Sequence, residues 1–177
     1  MTDLKAIENI LSGNRNSFSF LMDKYHNELF KYIYNIVNNY ETTEDVLQEV
    51  FLKLYNILHK YNSDKASFRT WMYRVTSNYV INYINSKEYR QNGTLEFKDY
   101  TTTSSEDIEK DIAKEEQINS ILKVMSSILS KKHYKIMLLH YFSNLSVKEI
   151  SESTEIPEKT IYKAIKTSIA KIKLEVE

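Results

Sequence analysis

The chain has 177 residues, with 24 basic and 24 acidic side chains and a formal net charge of zero. Because these charges balance, the total charge gives no reason to expect nucleic-acid binding. Any contact with nucleic acid must come from local basic patches. The absence of Cys excludes disulfides and thiolate metal sites, as is typical of a cytoplasmic protein. No run of about 18 apolar residues and no signal-peptide pattern occurs, so we expect neither membrane insertion nor secretion.

The fold class follows from the scarcity of turn residues. Only two Gly and one Pro are present, and the hydrophobic periods are mostly helical. We therefore predict an all-α protein. The length allows two domains, and we place small helical domains at residues 1–90 and 113–177, with a flexible linker at 91–112.

Three helices open the first domain. We predict a short helix over Asp3–Leu11, a long one from about Asn16 to Asn38, and a third over Thr42–Leu58, where Thr42 and Asp45 form a capping-box pattern. The third helix has a broad apolar stripe and an opposite stripe with a Leu among polar residues. That combination is typical of a protein interface, although a single exposed Leu on a solvated face fits it equally well. The opposite stripe comprises Asp45, Gln48, Glu49 and Leu52.

The last helix of the first domain, Ser67–Ser86, follows a polar loop. Its stripe through Phe68, Trp71 and Val75 predicts core. The remaining positions and the preceding residues combine cations, aromatic rings and amides, which suit single-stranded DNA. A mixed solvent-exposed face would show the same composition. These positions are Lys60, Tyr61, Arg69, Tyr73, Arg74, Ser77, Asn78 and Asn82.

A polar segment separates the two domains. Gln91-Asn92-Gly93 breaks the helical pattern, and the stretch 101–107 has nothing to bury. The acidic residues at its end are explained by Ser105 capping the next helix, since acids favour a helix N-terminus.

The second domain contains a helix-turn-helix pattern. Helices over Ile112–Leu129 and Lys131–Phe142 precede a capping box at Ser146–Glu149, a turn at Thr154–Pro157 and a longer helix. The outer face of that last helix is cationic, so it can neutralise phosphates and reach base edges in the major groove. A Lys-rich helix that serves solubility alone is the alternative. The face carries Lys159, Tyr162, Lys163, Lys166 and Lys173, with Thr167 at its edge.

Three stretches resemble bacterial σ factors of the small, two-domain extracytoplasmic-function type. EDVLQEVFLKLY resembles region 2.2, FRTWMYRVTSN resembles the FxxWLYRIAxN segment of regions 2.3–2.4, and the helix-turn-helix resembles region 4. The resemblance extends from about Asp3 to Lys173. It implies that Asp45, Gln48, Glu49 and Leu52 dock on the clamp coiled coil of the largest subunit of RNA polymerase.

The resemblance also implies two DNA-binding surfaces. The −10 element would be captured as a single strand, with a loop and Asn78 helping to form a pocket for an extruded base. The −35 element would be read by the second helix of the helix-turn-helix. The −10 residues are Lys60, Tyr61, Asn62, Ser63, Lys65, Arg69, Arg74, Asn78 and Asn82, and the −35 residues are Lys159, Thr160, Tyr162, Lys163, Lys166 and Thr167.

The recognition helix departs from the family pattern. The usual IPxGTVKSRLxRAR is replaced here by IPEKTIYKAIKTSIAKIK. Lys159 stands in place of Gly, while Ala164 and Thr167 stand in place of Arg. Fewer Arg side chains mean fewer bidentate guanine contacts, so we expect an altered −35 sequence.

The function predicted by this resemblance is that of an RNA polymerase σ factor, which initiates transcription without catalysis of its own. The implied partners are promoter DNA and core RNA polymerase, the latter through the clamp and the flap of the second-largest subunit; an anti-σ factor stays an open further partner. Two alternatives remain: a helix-turn-helix regulator that binds DNA without polymerase, and a polymerase-binding adaptor without σ activity.

The sequence carries no enzyme motif. It lacks a P-loop and the GxGxxG, GxSxG and HExxH patterns. His133 and His140 could share a helical face, but no third metal ligand accompanies them at suitable spacing. We therefore predict no enzyme, no cofactor and no metal site.

Overall fold

A computed structural model of the protein describes residues 1–86 and 105–176, with side chains described for 1–86 and 117–176. Within these residues all regular elements are helical, which confirms the predicted fold class. A 3₁₀ turn at Leu58–Lys60 follows the third helix. The α-helices are α1 (Asp3–Leu11), α2 (Ser17–Val37), α3 (Tyr40–Ile57), α4 (Phe68–Ile84), α5 (Ser105–Ile128), α6 (Lys131–Tyr141), α7 (Val147–Thr154) and α8 (Glu158–Val176).

The predicted linker overlaps the start of α5. This helix begins at Ser105 and not at Ile112, so residues 105–112 are helical. The linker segment 91–104 lies outside the described residues.

Local capping explains where most helices begin. The capping box of α7 is confirmed, because the Ser146 backbone N–H donates to Glu149 Oε2 at 2.9 Å and the Glu149 N–H donates to Ser146 Oγ at 3.2 Å. Ser67 and Ser130 cap α4 and α6 in a similar way, each accepting a backbone N–H of the first turn.

The predicted cap of α3 is wrong. Asn39, not Thr42, caps this helix: its Oδ1 accepts the Thr42 backbone N–H at 2.8 Å. The Thr43 hydroxyl also donates to the Asn39 carbonyl at 2.7 Å. Thr42 therefore lies inside the first turn, and the helix begins at Tyr40.

Helices α1–α4 form the N-terminal half of the molecule. Helix α2 packs on α1, α3 and α4, with Leu29, Ile33 and Val50 fully buried. Polar contacts attach α1 to α2, since the Tyr25 hydroxyl donates to Asp3 Oδ2 at 2.7 Å. This packing holds α3 with one face in the core and the other in solvent.

Helices α5–α8 form the C-terminal half. Helices α6, α7 and α8 pack against one another, with Leu138, Ile150 and Ile161 buried, and α5 packs on α6 and α8. Glu155 ends α7 in the left-handed conformation, with φ of 59°, and its N–H donates to the Ser151 carbonyl at 2.8 Å. This tight turn orients α8 as the second helix of a helix-turn-helix.

Helix α4 contacts both halves. It packs against α2 and α3 on one side and against α6 and α7 on the other. Tyr73 and Ser77, which we predicted to be exposed, are 2% and 0% exposed. The Tyr73 ring meets Tyr32 edge-on at 5.0 Å, and Ser77 Oγ lies 2.7 Å from the Tyr32 hydroxyl. The prediction was wrong because α4 has polar groups that pair with each other in the core.

Candidate nucleic-acid interface

The outer face of α3 is open to solvent. Asp45, Gln48 and Glu49 are exposed, and Leu52 retains 54% of its surface. On the opposite face, Val46, Leu47, Val50, Phe51 and Leu54 are buried and fix the rotation of the helix. An exposed Leu surrounded by polar groups is thus a feature of the structure, in the arrangement of a small interface.

The loop before α4 and the middle of α4 surround a pocket of about 250 Å³. Three cationic side chains line it, namely Lys60, Lys65 and Arg74, together with Asn62. Asn62 also shapes the loop, because its Oδ1 accepts the Asp64 backbone N–H at 2.8 Å. The structure therefore brings these four candidate −10 residues together around one pocket. The other lining residues are Ala66, Trp71, Glu152, Ser153 and Glu155.

Tyr61 packs this loop against α4. Its ring packs against Phe68 and Trp71 at centroid distances of 5.6 and 5.5 Å, and its hydroxyl donates to the Ala66 carbonyl at 3.1 Å. Burial, with a smaller effect of Asp3, raises the pKa of the Tyr61 phenol. Tyr61 is thus engaged within the protein, whereas Ser63 is exposed in the loop.

Arg69 is held by groups on both sides of α4. Its Nε donates to Glu28 Oε1 at 2.6 Å, and its Nη2 donates to the Ser143 carbonyl at 3.2 Å. The Tyr73 hydroxyl donates to the same Glu28 oxygen at 2.9 Å. Burial opposes the charge of Arg69, but Glu28 raises the pKa of the guanidinium overall. This network joins α2 and α4 to the segment after α6.

Arg74, Asn78 and Asn82 follow at four-residue spacing along α4, which places them on one side of the helix. Asn78 is exposed, while Asn82 Oδ1 accepts Lys131 Nζ at 2.8 Å. Arg74 lies near Lys135 of α6, and burial together with the Arg74 charge lowers the pKa of Lys135 to about 8. Two cations therefore face each other where α4 meets α6.

The outer face of α8 is accessible. Exposed along it are Lys159, Thr160, Tyr162, Lys163 and Lys166, and Thr167 is half-buried. On the inner face Ile161, Ala164 and Ile165 are buried. Ala164 is only 3% exposed, so an Arg at this position would point into the packing of the helix and not into solvent. The departures that change the accessible face are therefore Lys159 in place of Gly and Thr167 in place of Arg.

Several residues around these surfaces were missed in the sequence. Glu28, Lys131, Glu155 and the Ser143 carbonyl each contact a candidate −10 residue. The three side-chain pairs are separated by 41, 49 and 90 positions in the chain. No helical or motif spacing links residues so far apart, so only the tertiary structure identifies them.

Among the side chains that the structure describes, no group of three or more His, Asp or Glu is placed to hold a metal ion. None of the described helices is long and apolar enough to span a lipid bilayer.

Residues 21–89 match the profile of the family "Sigma-70 region 2", and residues 112–176 match "Putative helix-turn-helix protein, YlxM / p13 like". The chain is 26% identical over 165 residues to the ECF RNA polymerase sigma factor SigW of Bacillus subtilis, covering 89% of this chain and 87% of SigW. It is 25% identical over 140 residues to the RNA polymerase sigma factor YlaC of the same organism, covering 78% and 80% of the two chains.

Two further likenesses concern one part of the chain and the fold. The ECF RNA polymerase sigma-E factor of Escherichia coli K12 is 31% identical over 84 residues, which is 48% of this chain and 43% of that protein. A solved structure of CnrH in complex with the cytosolic domain of CnrY aligns with a TM-score of 0.65 at 17% identity, covering 98% of this chain and 96% of that chain. Because the identity is only 17%, this alignment establishes the fold alone.

Proposed function

Because this chain belongs to the extracytoplasmic-function (ECF) σ factors of bacterial RNA polymerase, we propose that its σ activity depends on three separate surfaces, each with one binding role. The outer face of α3 binds core polymerase. The loop 60–67 with α4 captures the −10 strand, and the outer face of α8 reads the −35 element.

The α3 surface carries this proposal. Asp45, Gln48 and Glu49 provide charged and amide groups around Leu52, which is 54% exposed on a helix whose other face is fully packed. A rigid helix with one exposed apolar anchor fits the groove of a coiled coil, because the anchor loses water on docking while the polar rim forms hydrogen bonds. We assign the clamp coiled coil of the largest subunit as the partner of this surface.

The α8 surface is suited to duplex DNA. Its lysines can neutralise phosphates, and Tyr162, Lys163 and Thr167 can reach base edges in the major groove. In this proposal the C-terminal half also binds polymerase, at the flap of the second-largest subunit. Since Ala164 and Thr167 stand where the family has Arg, this helix has fewer guanine-reading groups and reads its own −35 sequence.

The −10 surface acts by binding unstacked bases. Lys60, Lys65 and Arg74 supply charges for phosphates, and Asn62, Ser63, Asn78 and Asn82 supply hydrogen-bonding groups for bases. Tyr61 and Arg69 are engaged within the protein, so they act as positioning residues for the loop and α4. The binding of captured bases then supplies the free energy for strand opening. For this reason the chain needs neither a catalytic residue nor a cofactor.

The cellular setting follows from these partners. A protein that acts on core polymerase and promoter DNA works in the cytoplasm. An anti-σ factor would fit this setting as a regulator.

The docking surface can be tested by mixing the purified chain with bacterial core RNA polymerase and following co-migration by size-exclusion chromatography. We expect the wild type to co-migrate and Asp45→Arg/Gln48→Ala to lose at least about tenfold in affinity, because both rim groups are removed. Asp23→Arg/Asn27→Ala is a matched control, since it makes the same chemical changes at exposed positions of α2. Failure of the wild type to bind at low salt would refute the proposal, and tight binding without promoter-directed transcription would favour a polymerase-binding adaptor.

A further inference from the structure

Arg74 has a hydrogen-bonding group that no described part of the chain satisfies. The side chain is half-buried in the middle of α4, on the side of the helix that packs against α6. Its Nε atom is buried and has no hydrogen-bond partner among the residues that the structure describes. Because a buried donor without an acceptor is unfavourable, such a group indicates an acceptor that comes from outside the chain.

Lys135 of α6 places a second positive charge beside Arg74. Lys135 is half-buried, and burial together with the charge of Arg74 lowers the pKa of its amine to about 8. At neutral pH the amine is therefore still protonated. Neither side chain forms an ion pair with any described acidic residue. Two like charges in a partly buried site are unfavourable unless a negative charge accompanies them.

The acidic side chains in this region are engaged by other lysines. Glu152 and Glu155 line the same pocket as Arg74. Glu155 Oε1 lies 2.6 Å from Lys65 Nζ, and the hydrogen bond and charge of Lys65 lower the pKa of Glu155 more than the charge of Arg74 does. Glu152 pairs with Lys148, one turn away on α7, at 3.9 Å. The positive charge at the junction of α4 and α6 therefore stays uncompensated by these carboxylates.

The pocket of about 250 Å³ gives a small anion access to Arg74. Lys60 and Asn62 line the same space, so a further cation and an amide donor are available there. Its volume is below the roughly 300–1,000 Å³ of pockets that enclose drug-sized ligands. The pocket therefore suits a small anion and not a whole nucleotide.

From these observations we propose that the junction of α4 and α6 is a binding site for free inorganic phosphate, held by Arg74 and Lys135. One phosphate oxygen accepts the buried Arg74 Nε–H, and the negative charge of the ion compensates both cations. Arg suits this role because its guanidinium presents several N–H donors in one plane. The site goes beyond the DNA-binding role assigned to Arg74 and does not depend on it, since Lys135 has no part in the −10 surface.

Phosphate that binds only the folded chain stabilises it by mass action. At neutral pH we expect the melting temperature to rise saturably with sodium phosphate, by about 3 °C or more at about ten times the Kd. Circular dichroism during heating measures this rise, with sodium chloride added to hold the ionic strength constant. Because phosphate also stabilises proteins through its exclusion from their surfaces, matched variants are needed to identify the site.

Two pairs of variants separate the site from this general effect. Lys135→Met removes one of the two charges, and Lys132→Met makes the same change at an exposed position of α6. Arg74→Gln and Arg15→Gln form the second pair, since Arg15 is exposed before α2. The saturable rise should be lost in Lys135→Met and Arg74→Gln and retained in the two controls. An equal rise in all five proteins, or no saturable rise in the wild type, would overturn the proposal.

Isothermal titration calorimetry measures binding directly and identifies the ligand. Sodium phosphate should give a saturable isotherm with the wild type at neutral pH, and Lys135→Met should weaken it about tenfold or more, because a contact with a charged group is lost. Adenosine monophosphate carries a phosphate group on a larger molecule and should bind more weakly than free phosphate. Tighter binding of the nucleotide would overturn the assignment to free phosphate, and equal phosphate affinity of Lys135→Met and wild type would overturn the site.

Discussion

Asn78 is an exposed amide on α4, one helical turn beyond Arg74 and one turn before Asn82. Asn82 Oδ1 accepts a hydrogen bond from Lys131, whereas the Asn78 side chain is open to solvent. An amide can donate to and accept from an unstacked base at the same time, which suits Asn78 to base capture.

We predict that Asn78→Ala slows open-complex formation about fivefold, since one hydrogen bond to a captured base is worth roughly 1 kcal/mol. Initial promoter binding should change less, because phosphate contacts remain. Permanganate reactivity of −10 thymines, on a promoter mapped by run-off transcription, reports the opening step. Unchanged reactivity would remove Asn78 from the base-binding surface.

Residue-scale exposure was predictable for some positions and not for others. The accessible faces of α3 and α8 follow from periodicity alone, because each helix buries one stripe against its own half. Arg69 and Tyr73 share Glu28 as an acceptor, although Glu28 lies on another helix. Such polar pairing in a core leaves no periodic signal, so these residues resembled a solvated face in the sequence.

At the scale of elements, helix starts depend on single side chains. The sequence pattern pointed to Thr42 as the cap of α3, whereas in the structure Asn39 caps this helix because its Oδ1 accepts the Thr42 N–H. Helix periodicity gave the bounds of α1 correctly and those of α2 and α4 to within a few residues. For α5 the sequence carried two indications, Ser105 as the cap of the helix and Ile112 as the beginning of its amphipathic pattern, and the structure begins the helix at Ser105.

We predict that Asn39→Ala lowers the free energy of unfolding by about 1 kcal/mol, the usual cost of losing an N-cap. Thr42→Ala, in the first turn, should change it by less than about 0.5 kcal/mol. Urea denaturation followed by circular dichroism measures both values. The reverse order would show that Thr42 caps α3 in solution.

The second prediction at this scale concerns the cationic face of α8. Lys163→Glu/Lys166→Glu should abolish −35-dependent transcription while binding to core polymerase persists, because reversed charges repel DNA phosphates without touching α3. Run-off transcription and co-migration with polymerase measure the two activities separately. Lys123→Glu/Lys132→Glu makes equal charge changes on α5 and α6 and should retain transcription. Loss of polymerase binding in the α8 variant would contradict the separation of surfaces.

At the scale of the whole molecule, the contact between halves contains a titrating group. Burial and the charge of Arg74 lower the pKa of Lys135 to about 8, from an ordinary value of 10.5. Below pH 8 the Lys135 amine is protonated, and the unfavourable placement of this charge in a partly buried site lowers the free energy of unfolding in full. Between about 8 and 10.5 the folded chain has released this proton and the unfolded chain has not, so stability rises with pH across this interval.

We therefore predict that the free energy of unfolding is higher at about pH 9.5 than at about pH 7.5. Lys135→Met, which keeps most of the side-chain volume, should be more stable than wild type at the lower pH and should lack the rise. Lys132→Met, an exposed neighbour, should keep it. Burial raises the pKa of Tyr25, Tyr32 and Tyr73 from the ordinary value of 10, so their opposite effect sets in near pH 10, where the unfolded chain loses its phenol protons, and this is above both measured pH values. Lower stability of Lys135→Met at pH 7.5 would contradict the assignment.

The left-handed backbone at Glu155 has a consequence for how this sequence can vary. Gly is the residue that adopts a φ of 59° without cost, and any Glu codon becomes a Gly codon by one base change. That change would relax the turn between α7 and α8 and remove the carboxylate that meets Lys65. The backbone would gain from the mutation, and the fold would lose only an exposed ion pair, which contributes little to stability. Glu155 is therefore a position at which the fold itself should accept Gly.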